Sequence, residues 1–272
     1  MHAKKSLGQN FLVSDSVAAR IVDALGPRAD ETIIEIGPGR GALTSRLVER
    51  AERIIAVEFD HNLAPLLREH FCDRDNFILI EADALATDFC SVIEPAKRAR
   101  VVANLPYNIS TAILQKLLEQ RQCLTEMILM LQREVVDRIT APPNGRERGF
   151  LSVLVEAYCE REALFDVAPE AFRPVPKVWS TVVRLRPRIA VEIKDELLFR
   201  NLVSAGFAQR RKTILNNFRF APVALQSIFE RGGGFQHVLE AIGIEPQRRA
   251  ETLTLEEWGG LTSTLKEVWS ET

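Results

Sequence analysis

Four short apolar runs constrain what this 272-residue chain can fold into. Each ends on a polar or acidic side chain, and a stretch with helical spacing follows. Ile33-Ile34-Glu35-Ile36 leads through Gly37-Pro38-Gly39-Arg40-Gly41 into an expected helix at 42–50. Residues 53–57 end on Glu58, and residues 77–80 run into Glu81-Ala82-Asp83-Ala84. Val101-Val102-Ala103 delivers Asn104-Leu105-Pro106-Tyr107, after which Ser110 or Thr111 is placed to cap a helix to about residue 121. Apolar runs of this length alternating with helices read as buried strands of a parallel, helix-covered sheet. Ligands of such sheets bind outside the carboxyl ends of the strands, so the polar residues at the tips are site candidates.

Three glycines in five residues make a tight turn and leave room for a ligand against the backbone. The spacing is G-x-G-x-G rather than the dinucleotide pattern, and Glu35 just inside the turn is ill suited to a pyrophosphate. It suits a cationic, amino-bearing cofactor; S-adenosylmethionine, with a sulfonium and a free amino group, fits. Glu58 lies 21 residues after Gly37, the distance at which a carboxylate bonds ribose hydroxyls. Asp83 is placed either to accept from an adenine amino group or to serve as a simple turn or cap residue.

The Asn104 tip offers something different. The Asn104 side-chain carbonyl and the Leu105 main-chain carbonyl are two acceptors, and Pro106 contributes no competing N–H. Tyr107 adds a flat face on which a base can stack. Two acceptors and a plane suit the exocyclic amine of a nucleobase. The plainer reading is a strand-to-helix turn that uses Asn and Pro for turn chemistry.

The rest of the chain extends this frame. A helix is expected at 16–25, capped by Ser14 or Asp15, after an arm that docks through Phe11-Leu12. Residues 127–131 read as a fifth strand, 132–140 and 151–158 as helices, and 163–167 and 181–185 as two more strands. Two prolines stiffen Phe172-Arg173-Pro174-Val175-Pro176-Lys177-Val178. Phe172 either faces Tyr107 across the rim as the second plate of a base sandwich or belongs to the core. Pro187 between Arg186 and Arg188 reads as a joint, giving domains at 1–187 and 188–272, the second all-helical. Helices are expected there near 195–209, 211–218, 223–231, 235–241 and 255–268.

Net charge is −2, which argues against a uniformly basic nucleic-acid binder. Charge is segregated, however. Residues 171–188 and 207–219 carry several Arg and Lys and no acid, and Arg210, Arg211 and Lys212 suit RNA backbone contact. No run of 18 apolar residues spans a membrane, and no apolar core follows the basic start to make a secretory signal. Cys72, Cys90, Cys123 and Cys159 form no CxxC pair, so neither a zinc site nor a disulfide is expected. All four read as buried small hydrophobes in a reducing, cytoplasmic protein.

Six stretches in order, KKSLGQNFL, EIGPGRGALT, AVEFD, NLPYNIST, FRPVPKVWS and QRRKTILNNF, closely resemble the bacterial small-subunit ribosomal RNA adenine dimethyltransferases. The resemblance covers nearly the whole chain. It implies an α/β fold: a Rossmann-like methyltransferase domain with a mostly parallel seven-stranded sheet, helices on both faces, and a small helical C-terminal domain that contacts RNA. It implies S-adenosylmethionine as cofactor, bound at the positions of Asn10, Leu12, Gly37, Glu58, Asp83 and Asn104. Asn104, Leu105 and Tyr107 would present the target adenine and Phe172 pack against it; Lys4, Lys5, Arg210, Arg211 and Lys212 would contact RNA. The implied reaction dimethylates N6 of two adjacent adenosines in the 3′-terminal hairpin loop of 16S rRNA, within a small-subunit (30S) assembly intermediate. A metal-free monomer without membrane attachment is expected. The rivals are a 23S rRNA dimethyltransferase of the macrolide-resistance type, a non-catalytic assembly factor on the same scaffold, and a nicotinamide-dependent oxidoreductase. Trp179 departs from the family pattern, in which a small or polar residue is expected there.

Overall fold

The computed structural model describes residues 9–270, without the side chains of residues 269 and 270; Lys4 and Lys5 lie outside the described residues. The strands are β1 (Phe11–Leu12), β2 (Thr32–Ile36), β3 (Arg53–Glu58), β4 (Phe77–Glu81), β5 (Ala99–Asn104), β6 (Leu124–Gln132), β7 (Cys159–Val167), β8 (Phe172–Arg173) and β9 (Ser180–Pro187). Seven form one sheet in the order β4-β3-β2-β5-β6-β9-β7, while β1 and β8 pair separately and antiparallel. The pairs β4·β3, β3·β2, β2·β5 and β5·β6 are parallel, and β9 runs antiparallel to β6.

Why the central strands pair this way follows from their side chains. Ile33 and Ile34 point to opposite faces of β2, yet both are fully buried, as are Ile54 and Ile55 on β3 and Val101 and Val102 on β5. A sheet buried on both faces needs helical cover on both, and parallel crossovers supply it. One such helix is Asp15–Leu25. The Ser14 hydroxyl accepts from the Val17 N–H to start it, and Gly26 at φ 60° ends it. Its buried face is Ala18, Ile21, Val22 and Leu25, spaced to form one helical stripe. Burying each of the three larger chains contributes roughly 1.5–3 kcal/mol.

The chain runs outward from β2 through β3 to β4, then crosses back to β5 on the other side of β2. The crevice at that reversal is where an open α/β sheet takes its ligand. Ile36 is in register with both Val57 and Ala103. One residue further on stand Gly37, Glu58 and Asn104, all at the same rim.

Several boundaries differ from the sequence expectations. After the glycine turn only Thr44–Leu47 is regular helix, and Leu43 at its start makes no side-chain cap. Neither Ser110 nor Thr111 caps the next helix. Ile109 holds the cap position, and the Ser110 hydroxyl instead donates to the Tyr107 carbonyl at 3.2 Å. Cys90 and Cys123 form a disulfide with their Cα atoms 5.5 Å apart, contrary to expectation. The Gln120 side chain accepts from the Phe89 N–H at 2.7 Å and so brings the helix Phe89–Val92 against the turn Arg121–Cys123. Of the remaining two, Cys159 is buried as expected and Cys72 is exposed.

The chain divides into two compact units, 1–136 with 160–187, and 137–159 with 188–272. The second is helical, its longest elements being Phe150–Tyr158, Glu196–Gly206, Val223–Arg231 and Leu255–Ser270. Trp258 is fully buried at its centre, against Gly206, where an added Cβ would lie 2.4 Å from the indole. Phe229 packs between Phe218 and Phe235 at ring distances of 4.8 and 4.9 Å. Arg210, Arg211 and Lys212 are exposed on the turn before the helix Ile214–Arg219 rather than inside it. Among the described residues no helix is long and apolar enough to cross a membrane.

Candidate active site

A cleft with about 1270 Å³ of empty space, counting its open mouth, lies at the rim shared by β2, β3, β4 and β5. Asn10, Leu12, Gly37, Glu58, Asp83, Asn104, Leu105 and Tyr107 all line it. The structure thus brings together eight residues marked in the sequence. Phe172 is not among them. Its side chain is fully buried in the hydrophobic core, where β8 pairs it with Leu12, so it is not the second plate opposite Tyr107. The Pro-rich segment positions Phe172 under the N-terminal strand instead.

Two acids define one end of the cleft. Glu58 is 5 % exposed, and its oxygens accept from the Asp60 N–H at 2.8 Å and the Gly39 N–H at 3.1 Å. These bonds, with the Phe59 N–H as a further main-chain donor, fix the carboxylate plane. Burial raises the Glu58 carboxyl above its ordinary range, and the main-chain donors oppose that. Glu35 is fully buried beneath the glycine turn and accepts from the Thr44 hydroxyl at 2.6 Å. Burial pushes its carboxyl up to about 7 despite the Thr44 bond, with Glu58 adding repulsion.

Between the acids and the solvent lies the turn. Gly37 and Gly39 have φ of 67° and 59°, conformations that L side chains rarely adopt. A Cβ added to Gly37 meets no atom within 4 Å, so the backbone there faces open space. At Gly39 the same Cβ would lie 3.3 Å from the Phe11 ring. Asp83 stands exposed at the tip beyond β4, with one oxygen accepting from the Leu85 N–H at 2.8 Å.

The Asn104 amide nitrogen donates to the Asn10 main-chain carbonyl at 3.2 Å. That bond turns the side-chain oxygen to the opposite side as an acceptor. The Tyr107 phenol lies 2.6 Å from the Ser180 hydroxyl at the start of β9. Burial raises the phenol's pKa above its usual value and Ser180 works against it, so the ring is neutral at ordinary pH.

Sequence reasoning missed three contributors. Phe59, half exposed, lines the cleft directly after Glu58, and its position after a strand-end acid was the available signal. Phe11, read only as an anchor, also lines the cleft and carries the Arg40 guanidinium 4.7 Å from its ring. The Gln9 amide donates to the buried Asp60 carboxylate at 2.9 Å, a contact 51 residues apart that no local pattern announces.

An open glycine turn, a buried acid beneath it, a fixed carboxylate one strand away and a half-exposed phenyl ring fit an amino-acid nucleoside. With the amide and phenol at the tip of β5, fold and cleft define a Rossmann-like methyltransferase. A sequence model of the ribosomal RNA adenine dimethylase family matches residues 1–258. The "Ribosomal RNA small subunit methyltransferase A" of Clostridium botulinum (strain Loch Maree) is 40% identical over 97% of this chain and 94% of its own. That of Geobacter metallireducens is 42% identical over 96% and 95%. Among solved structures, a dimethyladenosine transferase from Plasmodium falciparum shares the fold with a TM-score of 0.81 at 23% identity, over 95% of this chain and 98% of that one. The 23S rRNA methyltransferase ErmE aligns with a TM-score of 0.67 at 27% identity, over 94% and 100%. The chain belongs to the ribosomal RNA adenine dimethylase family and is an rRNA methyltransferase.

Proposed function

We propose that the chain transfers methyl groups from S-adenosylmethionine to N6 of two adjacent adenosines in the 3′-terminal hairpin loop of 16S rRNA, during small-subunit maturation in the cytoplasm. The observation that carries this reading is the shared cleft of Gly37, Glu58, Asn104 and Tyr107. The small-subunit target is favoured by near-full-length relatives of that name at 40–42% identity, against 27% for the 23S enzyme.

S-adenosylmethionine supplies an electrophilic sulfonium methyl. Glu58 takes the ribose hydroxyls on its two fixed oxygens, and Glu35 anchors the turn toward the amino group. Asp83, Phe59 and the chain at Asn10–Leu12 enclose the remainder. Asn104 Oδ1 and the Leu105 carbonyl accept from the exocyclic amine of the target adenine, while Tyr107 stacks on its ring. Accepting both N–H bonds aims the nitrogen lone pair away from the acceptors, toward the cofactor side of the cleft. The proton leaves only after nitrogen has become cationic, so no side chain need act as base, and among the described residues no histidine lines the cleft. Catalysis is then positioning and electrostatics. Lys4, Lys5, Arg210, Arg211 and Lys212 hold the RNA backbone, and the chain acts as a monomer on a 30S intermediate.

The test is methyl transfer from labelled cofactor to undermethylated small subunits, followed by nucleoside analysis. With 23S rRNA offered as a parallel substrate, N6,N6-dimethyladenosine confined to 16S rRNA is expected; label in 23S rRNA alone contradicts the reading.

A further inference from the structure

The segment from Arg173 to Trp179 is largely exposed, and at Ser180 the chain enters β9 fully buried. Ser180 pairs with Gln132, the last residue of β6. Trp179 therefore stands at the rim where the parallel strands β5 and β6 end, the rim that carries Asn104. Its backbone is fixed from two sides. The Trp179 carbonyl accepts from the Arg133 N–H at 3.0 Å, and its neighbour Ser180 holds the Tyr107 phenol. Yet Trp179 is 48% exposed, whereas Trp258 is fully buried. Neither the fold nor the cleft, which Trp179 does not line, accounts for a large aromatic residue held in water one position from the Ser180 that bonds Tyr107. The segment itself carries Arg173 and Lys177 and no acid, and Arg133 beside it is paired with Asp166. A π-face at the end of an exposed loop that carries cations matches single-stranded nucleic acid, whose bases stack and whose phosphates are anionic.

We propose that Trp179 is a stacking platform for the unpaired nucleotide next to the target adenosine. This rests on the adenine reading above. With its neighbour stacked on Trp179, the target base leaves the loop at a fixed offset from Tyr107. Base–aromatic stacking of this kind sets an expected loss of roughly 5- to 150-fold on removal.

The test compares wild type, W179A and W179F on undermethylated small subunits, with S-adenosylmethionine affinity measured by calorimetry. W179A is expected to raise KM for the subunits about tenfold or more at unchanged cofactor affinity, and W179F to restore most of it. Indole emission of the wild type is expected to fall on titration with an adenosine-loop hairpin RNA, with W179F losing that component. Wild-type kinetics in W179A overturn the proposal. So does a raised KM without hairpin quenching, which assigns Trp179 to a ribosomal protein surface. A wild type that methylates no 16S adenosine removes the underlying reading, and this proposal with it.

Discussion

The Tyr107 phenol and the Ser180 hydroxyl lie 2.6 Å apart, joining the turn after β5 to the first residue of β9. The bond spans 73 residues of sequence and holds the ring at the mouth of the cleft rather than in the core. If the ring acts by stacking, Tyr107→Ala lowers kcat/KM for rRNA roughly 5- to 150-fold. Tyr107→Phe and Ser180→Ala keep the face and lose one hydrogen bond, about 1 kcal/mol or a factor of about five. Initial rates with labelled cofactor check the order; an Ala variant as active as the Phe variant contradicts stacking.

Glu58 is held by the Gly39 and Asp60 N–H groups before any ligand arrives. Glu58→Ala removes a pre-oriented charged acceptor, worth about 1.5–3 kcal/mol, so cofactor Kd rises roughly 10- to 150-fold. Calorimetry of the variant measures this directly, and an unchanged Kd removes Glu58 from the cofactor site.

Glu35 makes stability depend on pH. Its carboxyl stands at about 7 in the folded chain against 4.5 as the reference. The folded state therefore binds the extra proton between those values, and the stabilisation is present below about 4.5 and lost as pH rises through about 7. The integrated effect is about 3 kcal/mol. Urea midpoints of the wild type are expected to fall relative to Glu35→Gln across this window. Parallel curves contradict a buried, protonated Glu35.

The Cys90–Cys123 bridge closes a sequence separation of 33 residues away from the cleft. Loop closure of that size stabilises by about 2–4 kcal/mol. Reduction is expected to raise the count of reactive thiols in the denatured chain from two to four and to lower Tm. Methyl transfer below the transition should be unaffected, and loss of turnover on reduction contradicts a purely structural bridge.

Much of the sheet was legible because burial on both faces writes an unbroken apolar run. Ile33-Ile34, Ile54-Ile55 and Val101-Val102 each announce a strand, and the polar residue at each tip marks the rim. Six of the eight cleft residues came from those tips and the stretch after β5; Asn10 and Leu12 came only from the resemblance to the dimethyltransferases. What stayed hidden depends on contacts far apart in sequence. The pairing of Leu12 with Phe172 has no local periodicity, so Phe172 read as either rim or core; it is core, while residues 173–179 beyond it are largely exposed. The Cys pair has no spacing signature; it forms where two elements 33 residues apart meet, beside the Gln120–Phe89 hydrogen bond. Thr44 under Glu35 and Gln9 on Asp60 are single polar residues whose roles appear only when the elements meet.

Asn104 is where cofactor side and base side meet, its amide nitrogen spent on Asn10 and its oxygen turned the other way. The direct measurement is dimethyladenosine formation by Asn104→Ala on undermethylated small subunits, with S-adenosylmethionine affinity determined separately. A fall of at least about 100-fold in turnover, exceeding any fall in cofactor affinity, is the expected result. Undiminished dimethylation by that variant would contradict the account.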